Sequence, residues 1–233
     1  VGYQAAYSNQ TGADNIAIGI QALYTNNGVG ADRNIAIGKT ALYYTTSSSA
    51  SGSIGIGFEA GYANTSGFIT ALGYAALRNN TTGVSNNAFG YIALNTNTTG
   101  GYNTALGDGA LKSNTTASYS TAIGYQTLYS QTTPTYANTA VGAIAGYANT
   151  TGDSSVYIGV AAGTANTTGS KNTVVGHQAL QANTTASNNT AVGYQALYSN
   201  TTNGPNTAVG YLAGYATTGN GFIQAFGARA LQA

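Results

Sequence analysis

The side chains with reactive groups are few, and their spacing limits what they could do. Five Asp or Glu, six Lys or Arg and one His are spread over 233 residues, with no Cys, Met or Trp. Catalysis on stacked β-strands needs acids or imidazoles clustered on neighbouring turns. Here charged groups fall beside opposite charges instead. Asp14 and Arg33 occupy one position of successive repeats, and Lys39 with Glu59, and Asp153 with Lys171, lie one position apart. Asp108 and Lys112 share one segment. That pattern reads as surface ion pairing. His177 stands alone, and a lone imidazole makes a poor metal site. We expect no catalytic residue, no cofactor site and no metal site, hence no enzyme.

Amides and phenols are the abundant groups. Asn-x-Ser/Thr is the acceptor sequence for N-linked glycan. It occurs at Asn9, Asn64, Asn79, Asn80, Asn97, Asn114, Asn149, Asn166, Asn183, Asn188 and Asn200. The same "NTT" phrase can stack amide on amide as a turn ladder. Its threonines also raise ice binding, against which adjacent threonines on a strand point to opposite faces. Tyr recurs at one repeat position as Tyr7, Tyr24, Tyr43, Tyr62, Tyr129, Tyr147, Tyr198 and Tyr215. Six more, Tyr3, Tyr74, Tyr91, Tyr125, Tyr194 and Tyr211, directly follow a glycine. Such rows either stack between repeats or offer an aromatic surface to carbohydrate or a neighbouring subunit.

The elements that would position these groups follow from one repeated phrase. "NTAVGYQALYSNTTN" (189–203) returns as "NTAVGYLAGY" (206–215) and "NTAVGAIAGY" (138–147). Its glycine serves as an anchor, first at Gly2 and then at Gly19, Gly38, Gly57, Gly73, Gly90, Gly107, Gly124, Gly142, Gly159, Gly176, Gly193, Gly210 and Gly227. Nine of the thirteen intervals are 17 residues, which points to stacked units of constant length. The residue before the anchor is always large and apolar, and the one three after it is Ala except at Thr127.

"NIAIG" alternates at period two, the strand signature, with Ile16 and Ile18 on one face and Ala17 on the other. The anchor glycine permits a tight corner. "YQALY" is expected to form a second short strand, and the Asn/Thr/Gly stretch a loop. One such coil buries too little to offset its conformational entropy, so coils must stack and share backbone hydrogen bonds. The expected fold is all-β: a parallel β-solenoid (β-roll or β-helix) of about 14 coils. We expect a single array over residues 1–233, uncapped at both ends, whose open edges template end-to-end stacking.

Composition narrows the function further. Charged residues make up 5% of the chain and the net charge is +1, which leaves no electrostatic footprint for nucleic acid. No apolar run reaches the length of a membrane-spanning helix, so membrane insertion is not expected. A neutral surface of Asn, Thr, Ser and Gln lets copies approach one another without repulsion.

The phrase "NTAVGYQALYSNTTG" resembles Asn/Thr-rich repeat regions of phage tail-fibre-like proteins over nearly the whole chain. The shorter "N-[TI]-A-[VI]-G" is similar to the head repeats of trimeric autotransporter adhesins. These resemblances imply an extracellular location, on a cell surface filament or a virion fibre, and often a homotrimer. The expected role is that of a structural subunit or shaft segment that self-associates, end to end or as a trimer. The alternatives are an adhesin-type module holding surface glycan through its Tyr or Asn/Thr rows, and an ice-binding protein.

Overall fold

The structure, a computed structural model, describes residues 1–26, 31–47, 50–65, 67–133, 137–218 and 222–232. The chain divides into two compact units, Val1–Ser118 and Tyr119–Ala233, and each is a parallel β-solenoid. The first holds β1 (Ile16–Ile18), β2 (Ile35–Ile37), β3 (Ile54–Ile56), β4 (Ile69–Leu72), β5 (Asn86–Phe89) and β6 (Thr104–Leu106). The second holds β7 (Thr121–Ile123), β8 (Thr139–Val141), β9 (Val156–Ile158), β10 (Thr173–Val175), β11 (Thr190–Val192), β12 (Thr207–Val209) and β13 (Gln224–Phe226). Within each unit successive strands pair in chain order, one repeat apart: Ala17 lies against Ala36, and Ala191 against Ala208. No α-helix occurs among the described residues. The fourteen anchors yield thirteen strands, because Gly2 takes the corner conformation with only Val1 ahead of it.

The alternation in each strand runs the opposite way from a conventional amphipathic strand. The small middle residue faces inward: Ala36, Ala88 and Ala105 in the first unit and Ala122, Ala140 and Ala191 in the second are fully buried. The large residue before the anchor faces out, with Ile18 at 45% and Leu106 at 48% exposure. The reason lies across the coil. Leucines four after the anchor, such as Leu23, Leu77, Leu94, Leu180 and Leu197, fill the interior. The facing wall takes Ala in most coils, with Val174 and Tyr157 the larger residues there.

Side-chain volumes trade across this thin core. Tyr157 occupies the inward position of β9 and is fully buried. The positions that elsewhere hold Leu are Gly146 and Gly163 beside it. A Cβ on Gly146 would stand 3.1 Å from the Tyr157 ring, and one on Gly163 would overlap it. The Tyr157 hydroxyl has no hydrogen-bond partner. Ser155 lies nearby, but its hydroxyl donates to Asp153 O (3.1 Å) and accepts from the Asn172 N–H (3.0 Å). Burial pushes the Tyr157 phenol up to about 12, with Ser155 pulling the other way.

The expected second strand is not one. "YQALY" forms overlapping turns, whose successive closures are seen in Ala22 N–H to Gly19 O (3.3 Å), Tyr62 N–H to Glu59 O (3.2 Å) and Asn97 N–H to Leu94 O (3.2 Å), each from a different coil. The first two kinds of turn need positive φ at their third residue. That requirement falls two and four after the anchor, as at Gln21 (φ 55°) and Leu23 (φ 53°). It also explains the glycines of the second column, Gly61, Gly146, Gly163 and Gly214. The turns still join the inter-coil ladder: Gln21 N–H donates back to Tyr3 O (2.9 Å), and Leu23 N–H forward to Ala41 O (2.9 Å).

Glycine at the anchor is demanded twice over. At Gly159 φ is +130°, and a Cβ would sit 2.6 Å from the carbonyl oxygen of Gly176 in the next coil. At Gly227 φ is +109°, and a Cβ would meet nothing within 4 Å. Gly159→Ala should therefore suffer both the dihedral strain, about 1–3 kcal/mol, and overpacking of about 1–3 kcal/mol. Gly227→Ala should suffer only the first. Thermal unfolding followed by circular dichroism should place Gly159→Ala clearly below Gly227→Ala.

Candidate functional site

The asparagines come first, because "NTT" reads both as an amide ladder and as a glycan acceptor, and the structure forms the ladder at most of them. Eight of the eleven, Asn64, Asn80, Asn97, Asn114, Asn149, Asn166, Asn183 and Asn200, lie seven after the anchor and are fully buried. Their side chains form a ladder between coils. Asn80 donates to Asn64 Oδ1 (3.0 Å), Asn97 to Asn80 Oδ1 (2.7 Å) and Asn114 to Asn97 Oδ1 (2.8 Å). In the second unit Asn166 donates to Asn149 (3.1 Å) and Asn183 to Asn166 (2.6 Å). A glycan on any of these amides would have to displace the ladder. Asn188 is exposed, while Asn9 and Asn79 are half-buried, so only these three are reachable in the folded chain.

A second buried column lies four before the anchor, and sequence reading passed over it. Asn86 Oδ1 accepts from Asn103 N–H (2.9 Å), Asn138 Oδ1 from Ser155 N–H (3.0 Å) and Asn172 Oδ1 from Asn189 N–H (2.9 Å). In several coils the two columns meet at one carbonyl. Gly100 O accepts from Asn86 Nδ2 (2.7 Å) and Asn97 Nδ2 (2.9 Å). Ala117 O takes Asn103 (2.8 Å) and Asn114 (3.1 Å). Gly152 O takes Asn138 and Asn149, both at 2.8 Å, and Ala186 O takes Asn172 and Asn183, both at 3.0 Å. The signal was present in the first letter of "NTAVG" as regularly as in "NTT".

The threonines of "NTT" divide in the same way. The first donates its hydroxyl to the next coil, as from Thr81 to Thr98 O and from Thr98 to Thr115 O, each 3.0 Å. The second, as at Thr82, Thr99 and Thr116, is exposed in a single file.

The tyrosine rows stack. In the first unit Tyr7, Tyr24, Tyr43 and Tyr62 follow one another at centroid distances of 5.2, 4.8 and 5.1 Å. In the second, Tyr129 stacks on Tyr147 (5.2 Å) and Tyr198 on Tyr215 (5.0 Å). The row following the anchor stacks as well: Phe58, Tyr74 and Tyr91 in the first unit, and His177, Tyr194 and Tyr211 in the second. Each internal ring spends both faces on its neighbours. A sugar that packs against an aromatic ring needs an open face, and stacking leaves these rings presenting edges and hydroxyls.

One charged pair differs from expectation. Glu59 pairs with Arg78 rather than Lys39. Lys39 lies over the Phe58 ring at 5.9 Å from its centroid. No group of three or more potential metal ligands occurs among the described residues.

Of the two outward files on each sheet, the one before the anchor is apolar throughout, while the other mixes Ile or Val with Thr and Asn, as at Thr70, Asn87 and Thr104. In the first unit Ile16, Ile35 and Ile54 line one file, and Ile18, Ile37, Ile56, Leu72, Phe89 and Leu106 the next. In the second unit the matching files are Thr121, Thr139, Val156, Thr173, Thr190 and Thr207, and Ile123, Val141, Ile158, Val175, Val192 and Val209. These files form the candidate interaction surface of each unit. No family model, curated protein or solved structure matches the chain.

Removing Asn97 leaves one N–H of Asn114 Nδ2 without an acceptor, and leaves Asn80 Oδ1 with only the longer bond from Asn86 Nδ2 (3.3 Å). Each unsatisfied buried group costs about 1–3 kcal/mol. Asn97→Ala should lower the unfolding midpoint in urea markedly, whereas Thr99→Ala, two residues along and exposed, should stay within about 0.5 kcal/mol of the parent.

Proposed function

We propose that this chain is a structural subunit of an extracellular fibre, a shaft segment that acts by associating with further copies of itself. The outward apolar files of the sheets carry this reading. In an ordinary half-buried strand the large apolar residue faces the core and the polar one faces water. Here the interior takes the small residue and the surface the large one. A contiguous apolar face of this kind marks an association surface. Scarce charge supports a second copy as the partner, since a net charge of +1 gives copies little mutual repulsion. Resemblance of the repeat phrase to fibre proteins supports the extracellular setting and the homotrimer.

Glycan binding draws less support, because the ring faces are occupied by one another. Ice binding draws one observation from the second unit, the file of Thr121, Thr139, Thr173, Thr190 and Thr207 beside a file of Val and Ile. This is a regular threonine array, with the hydroxyls in a different place from "NTT". Self-association is favoured because the neighbouring file is apolar in both units, and because Ile16, Ile35 and Ile54 replace threonine over the first three strands, before Thr70, Asn87 and Thr104. Thermal hysteresis during freezing would favour ice binding instead.

Light-scattering mass across a concentration series, with electron microscopy of the same samples, tests the proposal. Trimers or fibres are expected. Val175→Lys, Val192→Lys and Val209→Lys combined should weaken association at least tenfold while the circular dichroism spectrum is retained. A parent chain that stays monomeric at every concentration would overturn the reading.

A further inference from the structure

We propose that Tyr44 and Tyr62 form an oxidative cross-linking site, where a one-electron oxidant of the peroxidase class, with hydrogen peroxide, joins two adjacent coils through a dityrosine bond. Geometry concentrates the phenols there. The Tyr44 ring stands edge-on to Tyr43 at 4.6 Å and to Tyr62 at 5.3 Å, with interplanar angles of 72° and 85°. Burial pushes the Tyr62 phenol up, and the Tyr44 phenol beside it adds to the shift. Dityrosine forms between the ring carbons next to the hydroxyls, and the edge-on contact at 5.3 Å holds the two rings side by side for that coupling. Arg78 lies over the Tyr62 ring at 5.5 Å and is itself held by Glu59, which fixes that ring from the far side.

Composition directs the oxidation to tyrosine. Cysteine and methionine are the usual first casualties of oxidants, and tryptophan gives up an electron readily. The chain has none of the three, against 19 tyrosines. Tyr44 is 40% exposed, so an oxidant reaches it from solvent, while Tyr43 and Tyr62 are half-buried behind it. Tyr24 continues the stack from Tyr43 at 4.8 Å. A radical formed elsewhere in the row therefore has a short path to the cluster.

The chemistry balances. Each phenol gives one electron and one proton to the peroxidase cycle, and hydrogen peroxide takes both pairs and leaves as two waters. The two phenoxyl radicals couple Cε to Cε. Each coupled carbon then loses its hydrogen as a proton while the phenoxyl oxygen is reprotonated, restoring two aromatic phenols. The product is the chain less two hydrogens, with Tyr44 and Tyr62 joined.

The test treats the full chain with a peroxidase and limiting hydrogen peroxide. Digestion after Lys, Arg and Glu then cuts at Lys39, Glu59 and Arg78 and separates Tyr44 from Tyr62. The expected result is one dominant species, peptides 40–59 and 60–78 joined with the loss of two hydrogens. In the Tyr44→Phe, Tyr62→Phe double variant that species should vanish and dityrosine fluorescence should fall at least threefold. Tyr91→Phe should leave both unchanged. Oxidation in concentrated urea, where the coils are apart, should abolish the preference without any mutation. The proposal fails if the joined peptides form equally in urea, if the hydrogens are lost within peptide 40–59 alone, or if dityrosine is spread over all the tyrosines.

Discussion

The convergence of two asparagine amides on one buried carbonyl, repeated at Gly100, Ala117, Gly152 and Ala186, is the constraint on which the rest of this structure depends. At Gly100 O the amides of Asn86 and Asn97 arrive from opposite directions, one from the start of the strand and one from the start of the loop. The junction fixes how deeply the loop folds back against the strand. Since each Asn also contacts its counterpart one repeat away, the same bonds set the register of the stack. Hydrogen bonds in such chains reinforce one another, and every one lost strands a polar group out of reach of water. The solenoid is thus held by a polar seam beside a narrow apolar one.

The narrowness has consequences for the surface. With amides occupying one side of the coil and Leu the middle, the strand wall takes Ala in most coils, and the large aliphatic residues move outside. Glycine and tyrosine exchange places at β9 under the same limit. The first unit shows a parallel trade, where Ile69 takes the asparagine position and Gly61 clears space for it, a Cβ there standing 2.8 Å from Ile69 Cδ1. Leu94 and its equivalents adopt φ near +50°, a conformation that costs a side chain like Leu about 1–3 kcal/mol. Burial of the side chain and the inter-coil bonds of the turn compensate, and both require a neighbouring coil. Stability is accordingly a property of the stack rather than of the repeat.

The period, the parallel pairing and the corner glycine were legible in the sequence because each leaves a column of nearly invariant chemistry. The inward face was harder to read. Alternating Ile-Ala-Ile states that two faces differ, and ordinary cores put Ile inside. The clue to the reverse lay in the persistence of Ala at two positions per repeat, which marks a wall with no spare volume. The turns were missed for a related reason: Leu in the left-handed region is rare, so "YQALY" read as strand, although Gly replacing Leu at Gly61, Gly146, Gly163 and Gly214 signalled positive φ. "NTT" left two readings open because one motif serves both glycan attachment and an amide ladder, and burial alone separates them.

Hydrogen exchange of the asparagine side-chain amides, followed by NMR on chain labelled with ¹⁵N at Asn, tests the polar seam most directly. The account predicts that the Nδ2 protons of Asn80, Asn97, Asn114, Asn166 and Asn183 persist far longer than those of exposed Asn188. Exchange of all of them at the rate of Asn188 would contradict it.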